Sequence, residues 1–163
     1  MHLLRGPVFV VMALGARFGM RPILRIVLFL VRHCAKPLRG VSVISCDGDV
    51  DEQVTKLSDA LRVLDRECPA AVRRLPTDVR VIWVIRRDMK GGVHYAHSAR
   101  AIQLSGRFVR EKGPKAISAA ILFAATQARL RSTVAGYSLF AWDRVETAAA
   151  RRTKRLLAKL QGV

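Results

Sequence analysis

The chain has 163 residues, of which 51% are hydrophobic, and this composition suits one folded domain and excludes a disordered or fibrous protein. Lysine and arginine total 29 against 12 acidic residues, which gives a net charge of +17 and favours polyanionic partners, either nucleic acid or an anionic membrane face. The chain has three cysteines, an odd number, and none of them forms a Cys-x-x-Cys pair, so a disulfide framework is not expected. This indicates a reducing, cytoplasmic location.

Residues 1–39 are predicted to form an apolar and basic helical extension. Its two apolar stretches, residues 8–16 and 22–31, are both shorter than a membrane-spanning helix. Arginines recur at every fourth position between and within them: Arg17, Arg21 and Arg25. This spacing is typical of a basic helix on the inner face of a membrane, where the arginines contact anionic headgroups. Packing on the protein's own core, or a signal or spanning segment, are the alternatives.

The second predicted region, residues 40–163, begins with a short apolar strand over Val41–Ile44. Residues 50–67 have leucines at helical spacing and acidic residues near their start, which predicts a helix. Pro69 ends this helix, and Leu75–Asp78 is predicted to be a turn.

The strongest strand signal is Val79–Ile85, which is rich in β-branched residues. Asp88–Gly92 is predicted to be a turn. Two weaker strands, Val93–Ala96 and Ala101–Leu104, follow it on either side of a polar bend. The sequence therefore predicts a small sheet in the middle of the chain.

Two helices complete the predicted architecture. Residues 114–131 are apolar almost all round, as expected of a buried central helix. A long helix over residues 139–161 has an apolar stripe: Trp142, Val145, Ala149, Leu156 and Leu160. Its opposite face is basic, and Arg151 and Arg155 on that face are predicted to contact anions or a membrane. The fold class is α+β, with a small sheet packed on the central and carboxy-terminal helices.

Residues 119–130, with the sequence AAILFAATQARL, resemble the metal-binding helix of a bacterial family of small zincin-like metallopeptidases. The family's stretch, L-V-H-E-A-T-H-A-R-L, is a form of the H-E-x-x-H motif. Ala125–Thr126 and Ala128–Leu130 match it, and the order of elements agrees over about residues 40–160. The resemblance implies a zincin-like α+β fold and, for the family, a zinc cofactor.

The departures from that motif fall on the residues that carry its chemistry. Two imidazoles one helical turn apart hold zinc, and an adjacent carboxylate activates the bound water. Here Phe123 and Ala124 replace the first histidine and the glutamate, and Gln127 replaces the second histidine. We therefore expect no cofactor and no catalytic residue at these positions.

One carboxylate of the zincin pattern persists. In thermolysin-like zincins the third ligand is a glutamate on a later helix, and Glu146 has the corresponding place here. Its helical position predicts a half-buried side chain within the apolar stripe. It is interpreted either as the remnant of a metal site or as a structural group satisfied by Arg144 or a backbone donor.

Other candidate ligands and nucleophiles give weaker signals. His94 and His97 are three residues apart near a strand, where such residues point to different faces, so surface histidines are favoured over metal ligands. His33 and Cys34 are adjacent in the basic amino-terminal region, and a catalytic pair there is the less favoured interpretation.

These observations predict an inactive homologue of a zinc metallopeptidase that acts by binding a protein or an anionic surface. An active metallopeptidase with unrecognised ligands is one alternative, and a basic nucleic-acid-binding protein is another. Sequence-specific binding of nucleic acid is disfavoured because only two tryptophans and two tyrosines are present and no stacking motif occurs.

Overall fold

The computed structural model describes residues 36–46, 50–133 and 139–161, and the predictions on residues 1–35 lie outside this part of the chain. The predictions outside it are those on both apolar stretches, on Arg17, Arg21 and Arg25, and on His33–Cys34. The described strands are β1 (Lys36–Leu38), β2 (Val41–Ser45), β3 (Val81–Ile85), β4 (Val93–Ala96) and β5 (Ala101–Ser105). The described helices are α1 (Val50–Glu67), α2 (Pro69–Asp78), α3 (Gly106–Glu111), α4 (Pro114–Thr133) and α5 (Leu139–Gln161).

The five strands form one mixed sheet in the order β1-β2-β3-β5-β4. The central strands β2, β3 and β5 are parallel, whereas β1 and β4 are antiparallel edge strands. Side chains at one register level line up across the sheet and are all buried: Val43, Ile82, Ile102 and Tyr95. Period-two alternation puts these residues on the face that joins the hydrophobic core.

The helices pack on this core for reasons visible in their sequences. Helix α1 is amphipathic, and its leucines at helical spacing, Leu57, Leu61 and Leu64, are fully buried. Helix α4 contacts α1, α2, α5 and strand β4, so it is surrounded by other elements. This explains why it has almost no polar face. The prediction of a mixed α+β fold with a buried central helix is confirmed.

Three local predictions differ from the structure. The strand predicted over Val79–Ile85 begins at Val81, because Val79 is the C-cap residue of helix α2. Leu75–Asp78 is not a turn, because it forms the last turn of helix α2, with Pro76 inside the helix. A proline near a helix end removes only one backbone hydrogen bond there, so the helix continues through it. In addition, Lys36–Leu38, which is predicted to belong to the amino-terminal extension, pairs with β2 as the first strand of the sheet.

The connection before β4 depends on two glycines in left-handed conformations. Gly91 has φ = +76° and Gly92 has φ = +73°. A Cβ atom on Gly92 would lie 2.3 Å from Cδ2 of Phe108, whereas one on Gly91 would meet no atom within 4 Å. Ser105 caps helix α3, because its hydroxyl accepts a hydrogen bond from the Phe108 backbone N–H at 3.4 Å. Strand β4 and the Phe108 ring are therefore held close together.

Candidate functional site

The three positions of the degenerate motif differ in burial along α4. Phe123 is half-buried and Gln127 is 9% exposed, whereas Ala124 is completely buried. Phe123 and Gln127 are one turn apart and share a helix face, as their spacing predicts. Ala124 lies away from that face, among the core residues of the helix.

Phe123 and Gln127 line an open groove of about 740 Å³. Glu146 of helix α5 lines the same groove, and so do His94 of strand β4 and Phe108 of helix α3. The remaining lining residues are mainly small or apolar: Gly91, Val93, Ala116, Ala119, Ala120, Arg131, Thr153 and Leu157. The structure therefore brings together both ligand positions of the motif and the carboxylate predicted to face them.

The prediction that Glu146 is half-buried is wrong, because its side chain is exposed. The apolar stripe itself is confirmed where the side chains are described: Val145, Ala149, Leu156 and Leu160 are buried. The side chain of Trp142 lies outside the described part. Glu146 lies at the edge of this stripe on the helical wheel, so it flanks the α4–α5 contact and points to the groove.

The described lining offers few groups that could ligate a metal. Phenylalanine and alanine cannot ligate, and an amide oxygen is a poor zinc ligand, which leaves the Glu146 carboxylate and the His94 imidazole. Within residues 36–46, 50–133 and 139–161, no group of three or more His, Cys, Asp or Glu side chains could hold a metal ion. The groove can nevertheless pack apolar groups on its floor and form hydrogen bonds at its rim.

Tyr95 lies beside the groove in strand β4 and is almost fully buried. Burial raises the pKa of its phenol above the usual value, and the Asp78 carboxylate adds to the rise. The nearby cations Arg100 and Arg131 partly oppose this shift. The Arg131 guanidinium carbon lies 5.7 Å from the centroid of the Tyr95 ring, which is a cation–π contact. The ring of Tyr95 therefore helps to position Arg131, which lines the groove.

Among the other predicted site residues that the structure describes, His94 lines the groove, whereas His97, Arg151 and Arg155 do not. His94 and His97 are both exposed, and the His97 ring contacts the Tyr95 ring edge-on at 6.3 Å between centroids. Arg151 and Arg155 are exposed on α5, as expected of its basic face. Sequence reasoning missed Phe108 and Arg131 as lining residues, because only the packing of α3 and β4 against α4 reveals them.

No family model, no curated protein and no solved structure matches the chain. Over the residues that the structure describes, no helix combines the length and apolar character needed to cross a bilayer.

Proposed function

We propose that this protein is a catalytically inactive homologue of a zinc metallopeptidase and that it binds a segment of another protein in the groove between α4, α5 and β4. The observation that carries the proposal is the joint position of Phe123, Gln127 and Glu146. Two of these residues are one turn apart on the central helix, and the third comes from the next helix, yet all three line one groove. This is the arrangement that the resemblance to the zincin-like family implies for its three zinc ligands.

The chemistry of the groove favours binding over catalysis. Peptide hydrolysis in zincins needs a metal that lowers the pKa of bound water and a carboxylate that takes the proton. Phe123 supplies an apolar surface at a ligand position, and Ala124 has no carboxylate and is completely buried. An aromatic ring on a groove floor with a polar rim is a suitable pocket for an apolar side chain.

The position of strand β4 favours an extended peptide as the occupant. Within the described residues β4 lies at the sheet edge and pairs with β5 alone. Val93 and His94 of this strand line the groove. A peptide added to such an edge would gain backbone hydrogen bonds from β4 and side-chain contacts from the groove. A volume of about 740 Å³ accommodates a few residues of such a segment.

Metal analysis tests the inactivity of the site. We expect the purified protein to hold no stoichiometric zinc after dialysis and to cleave no peptide. The double variant Phe123→His with Gln127→His restores two imidazoles one turn apart on the face that meets Glu146, and we expect it to bind about one zinc ion per chain. Ala124→Glu is left out of this variant, because it would bury a carboxylate.

Adding Glu146→Ala to the double variant is the control, and it should weaken zinc binding because it removes the third ligand. Tight zinc in the wild type would overturn the claim of inactivity and favour an active metallopeptidase. A folded double variant that binds no zinc would count against the zincin-like assignment.

Peptide binding is tested with a matched pair of variants on α5. Leu157 lines the groove and is 36% exposed, whereas the next residue, Ala158, is exposed and outside the groove. Peptides selected from a random display library on the full chain should bind Leu157→Glu at least about tenfold more weakly than the wild type. Ala158→Glu makes the same change in charge and should bind them normally. Equal losses in both variants would show that binding depends on charge and not on the groove.

A second candidate function is binding to an anionic membrane surface or a nucleic acid. One face of α5 presents exposed cations that form no ion pair with any described residue: Arg144, Arg151, Lys154, Arg155 and Lys159. Salt-dependent binding to anionic vesicles in preference to duplex DNA would support the membrane surface. The reverse preference would support nucleic acid.

A further inference from the structure

A second, smaller pocket lies on the other side of helix α5 from the groove. Helices α2, α4 and α5 meet there around a space of about 20 Å³. Three arginines line it, one from each helix: Arg74, Arg129 and Arg152. The other lining residues are Ala70, Ala71, Asp78, Leu122, Ala125 and Thr126. On the helical wheel of α5, Arg152 and Glu146 fall on opposite sides of the buried stripe, so the two sites are separate.

The Thr126 hydroxyl in this pocket is buried without a partner. The residue is 5% exposed, and its Oγ1 atom forms no hydrogen bond within the described structure. A threonine in a helix usually donates to the carbonyl four residues earlier, as Thr153 of α5 does to Ala149 at 2.9 Å. Thr126 does not do so. Because buried polar groups are nearly always satisfied, its hydroxyl is a hydrogen-bond donor available to a group that enters the pocket.

The arginines supply the charge that an anionic acceptor needs. Neither Arg74 nor Arg152 forms an ion pair with any residue that the structure describes. Three guanidinium groups from three helices can surround a tetrahedral oxyanion, since each presents several N–H donors in a planar fork. A space of about 20 Å³ admits about one oxygen atom of a phosphate, and the long, exposed side chains of Arg74 and Arg129 can contact the oxygens that remain outside it.

The Asp78 carboxylate limits which anions the pocket can bind. A carboxylate in the lining repels an anion that carries no proton, but it accepts a hydrogen bond from one that retains a P–OH group. Inorganic phosphate keeps a proton at neutral pH, whereas sulfate does not. The lining therefore favours a protonated phosphate over sulfate.

We propose that the pocket of Arg74, Arg129, Arg152 and Thr126 binds inorganic phosphate, which retains a P–OH group at neutral pH. The Thr126 hydroxyl donates to one oxygen, and the guanidinium groups neutralise the charge. This site is independent of the groove, so its test does not depend on the proposed function.

The test is calorimetric titration of the full chain with inorganic phosphate at constant ionic strength, with chloride as the balancing anion. We expect one saturable site per chain. Arg74→Gln and Arg152→Gln should each weaken binding at least about tenfold, because each removes a charge-assisted contact. Thr126→Val keeps the shape and removes the hydroxyl, and it should weaken binding several-fold while raising the melting temperature in phosphate-free buffer.

Neighbouring arginines provide matched controls, since a chain of net charge +17 attracts phosphate everywhere. Arg73 and Arg151 lie one position before Arg74 and Arg152 on the same helices and are outside the pocket, and Arg73 is exposed as Arg74 is. Arg73→Gln and Arg151→Gln should change the affinity by less than about twofold. Losses as large as those of the pocket variants would overturn the proposal, because they would show diffuse charge attraction.

Sulfate and glycerol phosphate identify the ligand. Sulfate should bind more weakly than phosphate in the wild type, and equal binding would contradict the assignment to phosphate. Glycerol phosphate, a phosphomonoester that has mostly lost its P–OH proton at neutral pH, should also bind more weakly than inorganic phosphate. Tighter binding of glycerol phosphate than of inorganic phosphate would overturn the assignment to a protonated phosphate.

Discussion

At the scale of single residues, Gly92 combines two demands that only glycine meets. Its φ is positive, and the Phe108 ring occupies the space where a Cβ atom would lie. Gly91 has nearly the same φ but open space around the Cβ position. Comparing the same substitution at Gly91 and at Gly92 therefore distinguishes the cost of the backbone conformation from the cost of the clash with Phe108.

Gly92→Ala is expected to destabilise the fold more than Gly91→Ala. The left-handed conformation costs an alanine about 1–2 kcal/mol at either position. The clash with Phe108 adds about 1–3 kcal/mol at Gly92 alone. Urea unfolding with a constant m-value measures both changes. Equal free energies of unfolding in the two variants would show that the Phe108 ring moves aside without cost.

Because of Tyr95, we expect the stability of the folded chain to fall at alkaline pH. Because the pKa of its phenol is raised by burial, the folded state holds the proton more tightly than the unfolded state does. The stability from this residue is fully present below the unfolded pKa of about 10 and is lost as the pH rises through the higher folded pKa.

The Tyr95→Phe variant should therefore lose less stability than the wild type as the pH rises above about 10, because phenylalanine has no phenolic proton to release. The ring and its packing remain, so the two proteins should differ less at neutral pH. Thermal unfolding at a series of pH values compares them. A variant whose alkaline loss equals that of the wild type would assign the effect to other groups.

At the scale of elements, helix α4 has a core face and a groove face. Ile121 is fully buried, whereas Phe123, two residues later, is half-buried on the groove. This difference is a direct consequence of the helical rotation between them. We therefore expect truncation of these two side chains to alanine to have unequal effects on the free energy of unfolding.

Ile121→Ala should cost about 2–5 kcal/mol, because it leaves a cavity in the core. Phe123→Ala should cost about 1 kcal/mol, since the ring borders open space. Chemical denaturation of both variants gives the comparison. A loss at Phe123 as large as that at Ile121 would mean that the ring is part of the core and that the groove is filled.

The long elements could be predicted from the sequence because each has its own periodic signal. Helices α1, α4 and α5 and strand β3 follow from apolar spacing, β-branched content and flanking glycine or proline. The short strands β2, β4 and β5 could also be predicted from their apolar residues, whereas β1, α2 and α3 could not. Strand β1 has three residues and helix α3 has six, too few for a pattern, and α2 contains Pro76.

Part of the candidate site could be predicted, from the spacing along α4 and from the place of Glu146 in the zincin-like pattern. The spacing of Phe123 and Gln127 puts them on one face, and that face lines the groove. The exposure of Glu146 could not be predicted, because a residue at the edge of an apolar stripe is buried or exposed according to how closely the neighbouring helix approaches. The contributions of Phe108 and of the arginines Arg74 and Arg152 depend on contacts between elements distant in sequence.

At the scale of the whole molecule, the described residues build a hydrophobic core of their own. The chain divides between residues 35 and 36, and the core cluster draws on the sheet and on helices α1 to α5. Strand β1 begins at Lys36, directly after this boundary. It pairs with β2, and Lys36 forms a salt bridge with Asp51 at the start of α1.

Removing residues 1–35 should therefore leave a folded, cooperative domain, whereas removing residues 1–38 should lower its stability. The longer deletion takes away β1 and leaves the β2 edge without its partner strand. Circular dichroism and thermal unfolding of the two truncated chains measure the difference. Equal stability in both would show that β1 contributes nothing to the sheet, and an unfolded chain after the shorter deletion would show that the core requires residues 1–35.

The parallel centre of the sheet has a consequence for the order of folding. Ile82 in β3 pairs with Val43 and with Ile102, and both partners are distant along the chain. No local hairpin can therefore form the middle of the sheet, and two long loops must close before β3 gains its neighbours. Only the outer pairs, β1 with β2 and β4 with β5, are local hairpins. The hairpins and helices are expected to form early, and the high contact order of the centre makes its assembly the slow step.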